Sequence, residues 1–247
     1  MSYLVGSVGD VATRLDSVVI DAADPPALAR WWADALDVEI THRHEHGVGL
    51  GLDGLHLVFV PVAEPKRGHN RLHLDLASSS VEHQRATVRR LCSAGAVPCD
   101  IGQGEVPWVV LADPEGNEFC VLDPRPEYAD TGPLAAVVVE AVNPLSLATF
   151  WGVASSWPLV RGDEDFASLR HSSGTGPWLE FIRGRAKTGR NRVHLELRTT
   201  GDEDSLWGEV RYLHRFGAER IDIGQGEVRC AVLADPEGNE LCVSTPG

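Results

Sequence analysis

The sequence predicts an α+β protein built as two tandem domains, and an internal repeat is the first observation that indicates this. Residues 100–121 and 222–243 align without a gap, and 18 of the 22 aligned positions are identical. Self-similarity at one fixed offset is the signature of a duplicated structural unit. We therefore interpret 12–123 as domain 1, 124–133 as a linker and 134–247 as domain 2 of the 247-residue chain.

The order of hydrophobic patterns within each repeat is the second observation. A strand at 15–20 precedes a helix that starts after Asp24, and three short strands are predicted near 38–46, 47–52 and 55–61. A strand at 70–76 follows, then a helix with a capping box from Ser79 to Glu82 that ends at Gly95, then strands near 96–101, 107–112 and 118–122. Repeat two matches this plan, so each repeat is predicted to be two βαβββ modules.

A turn shared by both repeats is the third observation. Asp113-Pro114-Glu115-Gly116 lies between two apolar runs, with a proline that presets φ and a glycine that tolerates positive φ. We interpret the stretch as a β-hairpin turn, and therefore as a folding element rather than a catalytic one.

Composition narrows the function classes. A net charge of −14 disfavours nucleic acid and anionic membranes as partners, and no run approaches the roughly 18 apolar residues of a membrane span. The first ten residues lack the basic start of a secretory signal, and the five cysteines lack a framework spacing. We expect a cytoplasmic monomer or homodimer with reduced thiols and a small-molecule ligand.

Two βαβββ modules per repeat, the strand Arg71-Leu72-His73-Leu74-Asp75-Leu76 and the closing ADPEGNEF hairpin resemble the vicinal oxygen chelate superfamily. The resemblance is strongest to its glyoxalase-like, bleomycin-resistance-type members and covers nearly the whole chain. It implies that the eight strands of each domain curl into a cup that holds a ligand. The repeat pattern alone does not decide whether a cup is built within one repeat or shared between both.

The resemblance also implies where a metal would bind, because metal-using members take four ligands from equivalent strands. In repeat one those positions carry Ser17, Val58, His73 and Cys120; in repeat two they carry Ala136, Glu180, His194 and Cys242. Divalent transition metals need three or four nitrogen, oxygen or sulfur donors. We therefore expect no complete metal site and no cofactor, and Glu180, His194 and Cys242 in domain 2 are the set to consider if a metal is bound.

Strand alternation places polar side chains on one face of each predicted cup. Arg71, His73 and Asp75 share a face in repeat one, and Arg192, His194 and Glu196 do so in repeat two. The histidines are candidate acids or bases, and the flanking charges are candidate ligand contacts. Self-satisfied ion-pair ladders are the alternative explanation for both rows. Trp108 and Trp178, on hairpin strands, are candidate cup walls.

The sequence predicts two alternative functions. The first is a small-molecule-binding protein without a complete metal site, with one cup per domain. The alternative is a lyase or isomerase of the same superfamily, with His73 or His194 as acid or base, or with a metal confined to domain 2.

Overall fold

The computed structural model describes residues 13–44, 47–224 and 230–246, which form four βαβββ modules in chain order. Module 1 contains β1 (Thr13–Ala22), α1 (Pro25–Leu36), β2 (Ile40–His44), β3 (Gly47–Leu52) and β4 (Leu55–Pro61). Module 2 contains β5 (Leu72–Leu76), α2 (Val81–Ser93), β6 (Val97–Pro98), β7 (Val109–Ala112) and β8 (Glu118–Val121). Module 3 contains β9 (Leu134–Ala141), α3 (Pro144–Ser155), β10 (Leu159–Gly162), β11 (Phe166–Leu169) and β12 (Trp178–Arg183). Module 4 contains β13 (Val193–Thr199), α4 (Glu203–His214), β14 (Glu219–Arg220), β15 (Cys230–Ala234) and β16 (Glu240–Ser244).

The strands form two eight-stranded mixed sheets, and each sheet combines modules from both repeats. Sheet I has the order β14-β15-β16-β13-β1-β4-β3-β2, so it joins modules 1 and 4. Sheet II has the order β10-β11-β12-β9-β5-β8-β7-β6, so it joins modules 2 and 3. The two repeats meet at the centre of each sheet, where β1 pairs antiparallel with β13 and β5 pairs antiparallel with β9.

The α+β class, the four βαβββ modules and the two eight-stranded sheets are therefore confirmed. The assignment of one cup to each repeat requires correction, because each cup is shared between the repeats. We call the helix-free face of sheet I cup I and that of sheet II cup II. The physical reason is that β1 and β5 of one repeat find their central partners in the other repeat rather than in each other.

Alternation along the central strands separates the core from the cups. The leucines of β5 at positions 72, 74 and 76 join the large hydrophobic cluster under the helices, as the sequence predicts. Trp32 of α1 extends this core from sheet I to sheet II, where its ring stacks edge-on against Phe119 with centroids 5.1 Å apart. A smaller cluster on the opposite face of sheet II contains Val110, Cys120 and Tyr128.

The duplicated turn anchors helix α1 of module 1 to the hairpin of module 2. Asp113 Oδ1 accepts hydrogen bonds from the backbone amides of Glu115 and Asn117, both at 2.9 Å. Its Oδ2 accepts from Asn117 Nδ2 at 2.9 Å and from Trp32 Nε1 at 3.0 Å. Gly116 has φ 85°, as the sequence predicts for this turn. The turn of repeat two has the same arrangement. Its Asp235 carboxylate accepts hydrogen bonds from Glu237, Asn239 and Trp151.

Helix boundaries agree with the predicted caps except at α2. Asp24 accepts from the Ala27 amide and Asn143 from the Ser146 amide, so both predicted N-caps are present. At α2 the N-cap is Ser80 rather than Ser79, and it accepts from His83 N at 3.0 Å. Within the described residues, no helix is long and apolar enough to cross a membrane.

Candidate functional site

Cup II brings together a compact set of titratable side chains from β5 and β8. Asp75 lies opposite Cys120 on one side and Ala136 on the other, so these three positions form one row across the cup. His73 is two residues from Asp75 on β5 and faces the same side. One donor atom from each of His73, Asp75 and Cys120 lies within 4.8 Å of the others.

Asp75 is the least satisfied member of this set. The distance from its Oδ1 to His73 Nε2 is 3.3 Å, and Asp75 is 8% exposed. Its Oδ1 has no hydrogen-bond partner although it is buried. Because leaving a buried acceptor unpaired costs about 1–3 kcal/mol, a further hydrogen bond to this oxygen would be favourable.

Glu180 reaches the same cup from β12 and carries a shifted pKa. Burial, and next the charge of Asp75, raise the pKa of Glu180 to about 7. The hydroxyl of Tyr128 donates to its carboxylate, at 3.0 Å to Oε1. Burial, followed by the charge of Asp75, also raises the pKa of the Cys120 thiol, which is therefore neutral at pH 7. Burial in cup II thus disfavours the charged forms of both Glu180 and Cys120.

Tyr128 comes from the predicted linker, which is more than a spacer. Residues Pro126–Tyr128 form a short 3-10 turn, and Tyr128 is 8% exposed inside the cup II cluster. Burial and the charge of Glu180 raise the pKa of Tyr128, so the phenol remains a hydrogen-bond donor at neutral pH. The linker therefore supplies one wall of cup II.

Both candidate tryptophans lie beside this cup, each under a guanidinium group. Arg125 stacks over Trp108 with 5.6 Å to the ring centroid, and Arg170 stacks over Trp178 with 4.7 Å. Trp178 occupies the row of Asp75, because it pairs with Ala136. These pairs give cup II aromatic walls with cationic outer faces.

Cup I has the same geometry with different chemistry. The position of Asp75 is taken by Glu196, which accepts from Ser17 Oγ at 2.9 Å. His56 stands where cup II has Trp178, next to Ser17, and contacts the Asp16 carbonyl oxygen at 3.2 Å through Nδ1. Burial, with a smaller effect from Arg190, lowers the pKa of His194 to about 4, so this histidine is neutral at pH 7.

The structure does not bring together the metal set considered for domain 2. Glu180 lies in sheet II, whereas His194 and Cys242 lie in sheet I. The pairing of modules across the repeats explains this correction. Strand β12 of repeat two belongs to sheet II, whereas β13 and β16 of the same repeat belong to sheet I. Glu180 instead joins His73, Asp75 and Cys120 of repeat one.

Arg71 and Arg192 are held at the seam between the repeats. Arg71 donates to Glu237 at 2.9 Å and to Asn239 at 3.1 Å, and it also contacts the Arg185 carbonyl oxygen. Arg192 donates to Glu115 at 2.6 Å. For these two arginines the contacts match the ion-pair alternative, and we do not include them in the candidate site.

Sequence reasoning missed Tyr128, His56 and Cys230. Tyr128 is an aromatic residue in a stretch without periodicity, and its burial depends on the fold of the linker. His56 and Cys230 lie on strands that pair within their own modules, β4 with β1 and β15 with β16, and the cup residues that they face were not assigned to those strands from the sequence. The signal available in the sequence was the substitution of Trp108 by Cys230 within an otherwise preserved repeat.

Paired βαβββ modules, curved eight-stranded sheets and polar cups define a class of protein, the vicinal oxygen chelate superfamily. A family model described as a glyoxalase-like domain matches residues 17–122 and again residues 136–244. The chain therefore belongs to the glyoxalase-like domain family.

Solved structures agree on the fold. Glyoxalase I from Zea mays matches with a TM-score of 0.65 at 15% identity, covering 94% of this chain and 92% of that chain. A putative dioxygenase from Bacillus subtilis matches with a TM-score of 0.63 at 13% identity, covering 95% of this chain and 86% of that chain. At such identities the likeness concerns the fold and not the reaction. No curated protein matches the chain.

Proposed function

We propose that this protein binds a small molecule in cup II, with Asp75 and His73 as its polar anchor. The observation that supports the proposal is the buried Asp75 Oδ1, which has no hydrogen-bond partner and lies beside His73 and Cys120. A ligand that donates a hydrogen bond, or carries a positive charge, satisfies this oxygen. Trp108 and Trp178 supply apolar contact area around it.

His73 and Glu180 give the cup a capacity for proton transfer. Glu180, with its pKa raised to about 7, exchanges protons near neutral pH. His73 lies beside Asp75, with Nε2 at 3.3 Å from Asp75 Oδ1, and its imidazole is the second group that can exchange a proton. A bound substrate with an acidic C–H or O–H group would therefore meet both a base and an acid. This arrangement suits a lyase or isomerase as well as a binding protein.

A metal-dependent enzyme is the second candidate, favoured by the convergence of three donor atoms. His73, Asp75 and Cys120 offer a nitrogen, an oxygen and a sulfur within 4.8 Å of one another, a set that fits zinc. The unpartnered Asp75 Oδ1 fits the same role. An ion held by these residues would supply a Lewis acid for polarising a substrate oxygen. This set differs from Glu180, His194 and Cys242, the domain 2 set that the sequence offered in case a metal is bound.

Substitution of Asp75 tests the proposal. A small-molecule library is screened by thermal shift on the native chain, and the affinity of each hit is measured on Asp75→Asn and on Glu196→Gln, the equivalent change in cup I. For hits that bind cup II, we expect Asp75→Asn to weaken binding about ten- to a hundredfold, since a hydrogen bond to a charged group contributes about 1.5–3 kcal/mol. Hits that respond to Glu196→Gln alone would contradict the assignment to cup II.

Zinc titration of the metal-free chain separates the two candidates. The metal-dependent candidate requires a zinc ion whose binding is lost in His73→Ala and retained in Cys230→Ser. If His73→Ala leaves zinc binding unchanged while Asp75→Asn still weakens the organic hits, the binding protein or metal-free enzyme is correct.

A further inference from the structure

Cup I contains two thiols on neighbouring strands. Cys242 of β16 pairs with Val232 of β15, and Cys230 of β15 pairs with Ser244 of β16. Residues two apart on a strand face the same side, so Cys230 and Cys242 are diagonal neighbours on one face. Ala231 and Val243 of the same strands point into the core under the helices, which places both thiols on the cup face.

The two thiols are also close enough to influence each other electrostatically. Interaction with Cys242, against the effect of burial, lowers the pKa of Cys230. Interaction with Cys230, and next burial, raises the pKa of Cys242. The strand register, which places the two cysteines diagonally on one face, is the observation that brings them together.

Acidic groups lie near both cysteines, and Arg190 is a cation that also acts on Cys242. Glu196 lies directly beside Cys242 across the β13–β16 ladder. Cys230 also lines a cavity of about 670 Å³ together with Asp202 and Glu203, so this thiol is open to small molecules. The described residues that line this cavity include no lysine or arginine. Negative groups at an open cavity favour the entry of a cation.

Cup II lacks this pair, which is specific to repeat two. The position of Cys230 is Trp108 in repeat one, and the position of Cys242 is Cys120. Cup II therefore has an aromatic wall where cup I has a second cysteine on the neighbouring strand, and the other cysteine near cup II, Cys99, packs against its apolar cluster. The two cups differ in chemistry although they share one plan.

We propose that Cys230 and Cys242 bind one thiophilic d10 cation in cup I as a pair of thiolates, with Glu196 as the adjacent negative charge. Thiolates are the sulfur form that binds metals, and soft ligands select such ions. Two S–H bonds break, two metal–sulfur bonds form and two protons are released to solvent, with no change of oxidation state. This site is separate from the ligand site proposed for cup II.

Cadmium provides the test, because each thiolate–cadmium bond contributes an ultraviolet charge-transfer band. The experiment uses the reduced, metal-free full chain carrying Cys120→Ser and Cys99→Ser, which removes the two thiols of the cup II cluster. We expect a saturable band at one ion per chain, with two protons released per ion. Adding Cys230→Ser or Cys242→Ser should reduce the absorption per bound ion by about half or abolish it, because one thiolate remains. The matched control is Cys92→Ser on α2, which should leave the band unchanged.

The Glu196→Gln variant keeps both cysteines, so it tests the site even if the serine variants do not fold. We expect this change to keep the two-thiolate band and to weaken cadmium binding at least about tenfold, the lower end of losses for groups that tune a metal site. An unchanged band in both serine variants would overturn the proposal. So would a reduced chain that binds no cadmium in cup I but forms a Cys230–Cys242 disulfide when treated with oxidised glutathione. Neither outcome depends on Asp75 or His73, so the proposal for cup II is tested separately.

Discussion

Neither repeat is expected to fold as a monomer when it is produced alone. Residues 12–123 would retain β1 and β5 but lose their central partners β13 and β9, which belong to the other repeat. Two central strands would then become open edges, and open hydrophobic edges promote association. We expect each isolated repeat to be unfolded or self-associated, as judged by circular dichroism and sedimentation velocity.

The control for this experiment is the same chain cut within 124–133 with both pieces present. We expect the pieces to reassemble into a one-to-one complex with native helix content, because both sheets then regain their central ladders. An isolated repeat that stays monomeric and retains native circular dichroism would contradict the exchange of modules between the sheets.

Asp113→Ala is expected to destabilise the chain by about 3–5 kcal/mol, a loss typical of broken buried networks. The carboxylate is 2% exposed, and its removal leaves the donors of Trp32, Glu115 and Asn117 without an acceptor. For a chain of this size, the midpoint should fall by about 6–20 °C. Differential scanning calorimetry measures the change.

Asp34→Ala is the matched control, since Asp34 is an exposed acidic residue on the same helix as Trp32. We expect its midpoint to move by no more than about 2 °C, the range for surface changes. Equal effects of the two substitutions would show that the duplicated turn does not anchor the helices.

Local features of the fold were predictable because they depend on neighbouring residues. Asp24 and Asn143 cap their helices through side chains that reach amides three residues away. The turn at Asp113 closes through bonds within the same five residues. Such contacts are encoded in short stretches of sequence, so the four modules and their order could be predicted.

The partnership of the modules could not be predicted in the same way. The two repeats are so similar that β5 could pair with β1 or with β9, and the hydrophobic alternation satisfies both pairings. The observed choice is made in the β1–β13 and β5–β9 ladders, which join residues far apart in sequence. The domain 2 metal set was wrong for this reason, since Glu180 and His194 lie in different sheets.

The candidate site was predictable in part. Alternation along β5 identified His73 and Asp75 as neighbours on one face, and the structure confirms their contact at 3.3 Å. It did not identify Tyr128, because that residue enters the cup from a segment without regular structure. The composition of cup II therefore depends on three separate parts of the chain, namely modules 2 and 3 and the linker.

The titration of Glu180 tests most directly whether residues of both repeats share one cup. The folded pKa of about 7 lies above the ordinary value of 4.5, so the folded chain holds this proton more tightly. Glu180 consequently stabilises the fold below pH 4.5, and this contribution is lost as the pH rises to about 7.

Carbon-13 NMR of the side-chain carboxyl group measures the pKa of Glu180. We predict a pKa of about 7 in the native chain and a lower one in Asp75→Asn, with no change in Glu196→Gln. A Glu180 pKa near 4.5, or one that Asp75→Asn leaves unchanged, would contradict the shared cup.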